Sequence, residues 1–108
     1  MKVRIQTNSI RFRLAGREVQ DLILLGRVCE QLTFPCGATF DVLLNTQESL
    51  QETRISAGSN AIAVDLDREI LTNWNKSQSL SLKFDLPSDV DGDSLTVLVE
   101  KDLPCQSH

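Results

Sequence analysis

Apolar and polar residues alternate with a period of two along most of this chain, and clusters of turn-forming residues interrupt the alternation every few positions. Such a pattern requires short strands with one buried and one exposed face. Val3 and Ile5 alternate with Lys2, Arg4 and Gln6. After Thr7-Asn8-Ser9, Ile10, Phe12 and Leu14 alternate with Arg11 and Arg13. This reads as a β-hairpin with one basic face. Pro35-Cys36-Gly37 separates Val28-to-Phe34 from Thr39-to-Leu44, and Gly58-Ser59-Asn60 separates Thr53-to-Ala57 from Ala61-to-Val64. A fourth hairpin sets Leu80, Leu82, Phe84 and Leu86 against Leu95, Val97 and Val99, joined through Pro87 to Asp93. Strands joined this closely are antiparallel, because parallel neighbours need a long crossover.

Helical spacing appears twice. Val19, Leu22, Ile23 and Gly26 follow i, i+3, i+4, i+7, which predicts a helix over about 17–25 with Glu18 at its start and Gly26 as its stop. Leu66, Ile70, Leu71 and Trp74 predict a second helix. Asp65 is its candidate N-cap, Asp67 and Glu69 lie in its first turn and Lys76 in its last, with Trp74 a core anchor. The order is ββαββ followed by ββαββ, a repeat of elements without visible residue-level self-similarity. The expected fold is therefore a single α+β domain over residues 1–108. It has about eight short, predominantly antiparallel strands, as a half-open barrel or as a bent sheet carrying both helices on one face.

Charge narrows the function classes. The net charge of −4 disfavours non-specific attachment to nucleic acid or to an anionic membrane. Yet Lys2, Arg4, Arg11, Arg13 and Arg17 fall within the first seventeen residues, which hold no acid, so every carboxylate lies beyond them. Arg4, Arg11 and Arg13 share one face of the first hairpin and are the candidate ligand-binding residues, since guanidinium forks match carboxylate and phosphate geometry. The structural alternative pairs them with the chain's own carboxylates. Glu100-Lys101-Asp102, which cannot converge because consecutive strand residues alternate faces, would then sit at a solvated edge or in such pairs. A barrel lined by these arginines would resemble the triphosphate-tunnel enzymes in broad architecture. Their alternating glutamate and lysine signature is absent from Lys2-Val3-Arg4-Ile5-Gln6.

Two constellations suggest metals. Asp89, Asp91, Asp93 and Glu100 fall at positions 1, 3, 5 and 12 of an EF-hand loop, but Ser94 stands where its glycine belongs and the flanks read as strands. Cys29, Cys36, Cys105 and His108 supply the count for a zinc site without the close Cys-x2-4-Cys knuckle. Neither spacing commits the chain to a metal, and no cofactor is expected. The odd number of cysteines suits a reducing compartment, and no apolar leader or span is visible, so a cytoplasmic setting is expected.

Met1-to-Ile5, Asn8-to-Leu14, Glu18-Val19, Gly26-Arg27-Val28 and Leu98-to-Leu103 with Cys105 together resemble a family of short, uncharacterised bacterial proteins, a domain of unknown function. The resemblance implies a bacterial, cytoplasmic protein and brings no site residues with it. The leading expectation is a non-enzymatic interaction module that uses the basic hairpin face or an exposed strand edge. Its partner would be a protein or a small anionic ligand, and it could be a homodimer. The alternative is a small phosphate-ester or nucleotide-handling enzyme with a divalent cation at the acidic residues.

Overall fold

The computed structural model describes residues 1–88 and 92–102. Its elements run β1 (Lys2–Gln6), β2 (Ser9–Leu14), α1 (Gly16–Leu25), β3 (Arg27–Thr33), β4 (Thr39–Gln47), β5 (Arg54–Ala57), β6 (Ala61–Asp67), α2 (Arg68–Lys76), β7 (Ser81–Pro87) and β8 (Ser94–Lys101). All four hairpins expected from the turn residues form, each antiparallel. Asn8 closes the first with a left-handed backbone at φ 52, a conformation that asparagine tolerates.

How the hairpins assemble corrects the expected sheet. The strands form neither a half-open barrel nor one bent sheet, but two four-stranded sheets ordered β1-β2-β8-β7 and β3-β4-β6-β5. The central pairs, β2 with β8 and β4 with β6, are parallel. Parallel neighbours require intervening chain, and both pairs have it: β2 and β8 lie near opposite ends of the sequence, while β5 separates β4 from β6.

Both sheets bury one face in a common core. Phe12, Leu14, Val97 and Val99 from the first sheet join Val42, Leu44, Val64 and Leu66 from the second, with Val19 and Leu22 from α1 and Leu71 and Trp74 from α2. The helices touch each other; α1 packs on β2, β3 and β4, and α2 on β6. α1 touches both sheets, and the first sheet reaches α2 through Lys101 of β8, so the helices do not line one face of a single sheet. No helix among the described residues is long and apolar enough to cross a membrane.

The helix ends are fixed by local chemistry. The Glu18 carboxylate accepts from the Ala15 amide at 2.9 Å, and Gly26 ends α1 with a left-handed backbone at φ 88. The cap of α2 is Asp67, not Asp65: its carboxylate accepts from the Ile70 amide at 3.2 Å and from the Leu50 amide at 3.0 Å. Leu66, counted in the helical stripe, is the last inward residue of β6. Lys101 reaches from β8 to the other end of α2, donating to the carbonyls of Trp74 (3.1 Å) and Ser77 (2.9 Å). Its ammonium lies 5.0 Å from the centre of the Trp74 ring, within cation–π range.

A residue-level repeat is present after all. At an offset of 52 positions, Ile10, Phe12, Leu14, Val19 and Leu22 correspond to Ile62, Val64, Leu66, Leu71 and Trp74 in strand, helix and inward direction. The carbonyl of Asn8 accepts from the Thr96 amide, and that of its counterpart Asn60 from the Asp41 amide, both at 2.9 Å. Each half contributes one hairpin to each sheet, so the halves are interleaved.

Candidate functional site

Inward placement of Ile10, Phe12 and Leu14 on β2 turns Arg11 and Arg13 outward, and the same alternation turns Lys2 and Arg4 outward on β1. The hairpin register sets Arg4 directly opposite Arg11 and Lys2 opposite Arg13. Across the sheet, Arg11 pairs in register with Leu98 and Leu98 with Lys83, so Arg4, Arg11 and Lys83 share one row. The three arginines singled out from the sequence therefore do come together, on the outer face of a sheet and not inside a barrel.

Carboxylates enter this face from β8. Glu100, opposite Arg13 in the parallel pair, lies 3.6 Å from Arg11 and 3.5 Å from Arg13, receiving both guanidinium groups. Asp102 pairs with Lys2 at 3.2 Å. The self-pairing reading of these cations thus holds for Arg11, Arg13 and Lys2, whereas Arg4 takes part in no ion pair among the described residues. The charged trio is split as alternation requires: Glu100 outward against the arginines, and Lys101 inward against α2.

The acidic constellation is split across β8. Asp93 precedes β8 and Glu100 is its penultimate residue, so a strand of about 20 Å separates them and they cannot share one ion. Asp89, Asp91, Cys105 and His108 lie outside the described residues. No group of three or more His, Cys, Asp or Glu side chains among the described residues could hold a metal. Cys29 and Cys36 are exposed free thiols, one on β3 and one in the following turn. Desolvation and the Asp41 charge push the Cys29 thiol above its ordinary value, the opposite of what activates a nucleophile.

Two grooves lie between sheet edges. One of about 790 Å3 runs between β5 and β7 and includes Leu50, Ile55, Ile70, Phe84 and Leu86 in its lining. A smaller one of about 280 Å3 occupies the equivalent place between β1 and β3, beside Ile5 and Leu32. Sequence reasoning missed both, because hairpin edges face each other only once the sheets are assembled.

Fold and surface together define a two-sheet α+β protein with a cationic patch on one outer sheet face. The family model described as "Family of unknown function (DUF7009)" matches residues 1–108, and the chain belongs to that family. No curated protein and no solved structure matches it.

Proposed function

We propose that the outer face of the β1-β2-β8-β7 sheet is a docking surface for an acidic protein segment, and that the chain acts as an interaction module. The observation that carries this reading is the pair of like-charge cross-strand contacts, Arg4 against Arg11 and Lys2 against Arg13. Like charges directly opposite destabilise a strand pair, and here they stand in a chain whose net charge is −4. Glu100 and Asp102 offset part of that repulsion, and carboxylates from a partner would relieve the rest, centred on Arg4. A flat sheet face suits an extended protein segment better than a small molecule, which needs a concave site. The exposed free thiols Cys29 and Cys36 suit a reducing, cytoplasmic setting.

The test is fluorescence anisotropy of a labelled hexaglutamate peptide titrated with the protein at two ionic strengths. Binding that weakens at least tenfold when Arg4, Arg11 and Arg13 are all replaced by Gln, and that weakens with salt, supports the reading. Unchanged binding in the triple variant, with the circular dichroism spectrum preserved, contradicts it. Displacement of the labelled peptide by tripolyphosphate at far lower concentration than by unlabelled hexaglutamate would favour a small anionic ligand instead.

A further inference from the structure

The strand β7 forms one edge of the first sheet. The Lys101 amide donates to the Leu80 carbonyl at 2.9 Å and the Ser88 amide to the Asp93 carbonyl at 2.8 Å. Since hydrogen-bonded pairs alternate along an antiparallel ladder, even-numbered residues of β7 turn their backbone groups toward β8. The odd-numbered residues Ser81, Lys83, Asp85 and Pro87 present theirs at the outer edge, where the Ser81 carbonyl accepts from the Ser79 hydroxyl at 3.0 Å. Pro87 has no N–H to offer, and an edge-facing position is where a strand tolerates that loss.

We propose that β7 pairs antiparallel with β7 of a second copy, joining two first sheets into one of eight strands. The strand reads Ser81-Leu82-Lys83-Phe84-Asp85-Leu86-Pro87, and it is self-complementary about Phe84. Antiparallel pairing centred there sets Lys83 opposite Asp85 of the second copy and Asp85 opposite its Lys83, both on the outer face. Leu82 meets Leu86, and Phe84 meets Phe84, on the inner face. The register is selected by charge: one step either way sets Lys83 against Lys83 or Asp85 against Asp85. Asp85 is already held for this role, since the Thr96 hydroxyl donates to one of its oxygens at 2.9 Å.

The other edges resist the same pairing. Centred on itself, β1 would set Arg4 against Arg4 and β3 would set Glu30 against Glu30, while β5 has four residues. Apolar surface is available beside β7, where Ile70, 44% exposed, and Leu50, Ile55, Phe84 and Leu86 line the groove next to the strand. The inference goes beyond the docking of acidic segments and does not depend on it.

The experiment is sedimentation velocity over a concentration series, for the wild-type protein, for Lys83→Asp, for Asp85→Lys, and for an equimolar mixture of the two variants. The expected result is a wild-type species of twice the 12.0 kDa chain mass. Each variant alone should dimerise at least tenfold more weakly, and the mixture should recover the dimer by pairing one all-acidic edge with one all-basic edge. Recovery on mixing also shows that both variants are folded. A wild-type protein that stays monomeric at every concentration, or a dimer that neither variant weakens, would overturn the proposal.

Discussion

Leu22 and Trp74 occupy the same place in the two halves of the chain, each the second buried residue of its helix and each inside the shared core. Equivalent positions hold a leucine in one half and a tryptophan in the other, so the core is symmetric in placement and asymmetric in shape. The larger residue carries a local cost: its indole N–H is buried with no hydrogen-bond partner among the described residues. The ring gains a cation contact from Lys101 in return.

Truncation at either position should be severe. Leu22→Ala is expected to cost about 2–5 kcal/mol and Trp74→Ala about 3–5 kcal/mol, read by urea unfolding followed by circular dichroism. A loss below about 1 kcal/mol at either site would contradict the shared core.

Four hairpins and two helices were legible in the sequence because each is specified by neighbouring residues: alternation, turn chemistry and helical spacing are local. The joining of β2 to β8 was not, since it brings Arg13 beside Glu100 through packing that no short window records. The residue-level repeat was hidden because the halves preserve inward direction more widely than identity, with Phe12 matched by Val64 and Leu22 by Trp74. Leu66 fits both the strand alternation and the helical stripe, and this ambiguity shifted the expected cap from Asp67 to Asp65. For the site, alternation sufficed to place Arg4, Arg11 and Arg13 on one face. The carboxylate between two of them came from the far end of the chain.

Glu18 links stability to acidity. Burial disfavours its charged form, but hydrogen bonds from the Met1 ammonium and the Ala15 amide outweigh this and hold its carboxyl below the usual value of 4.5. A depressed folded value means that Glu18 stabilises the fold above the unfolded value and loses that contribution as pH falls through the folded one. Glu18→Gln should therefore lower stability by about 1 kcal/mol at pH 7. The difference from wild type should shrink as pH falls below the ordinary carboxyl value of 4.5, as measured by urea unfolding at several pH values. A difference that is constant down to pH 2 would exclude this linkage.

Glu100 competes with any acidic partner for Arg11 and Arg13. Glu100→Gln should free both guanidinium groups and tighten hexaglutamate binding several-fold. Its effect on folding should be small, within about 1 kcal/mol, because ion pairs that water still reaches, as these half-buried ones are, contribute little. Weaker peptide binding in this variant, measured by anisotropy, would show that Glu100 organises the face instead of occupying it.

The most direct test of the docking surface is to map where an acidic segment binds. In nitrogen-15 correlation spectra titrated with hexaglutamate, the account expects saturable shifts on the outer face of the first sheet, at Lys2, Arg4, Arg11, Arg13 and Leu98, with the β3-β4-β6-β5 sheet unmoved. Shifts confined to the groove between β5 and β7, or no saturable shifts at millimolar peptide, would contradict it.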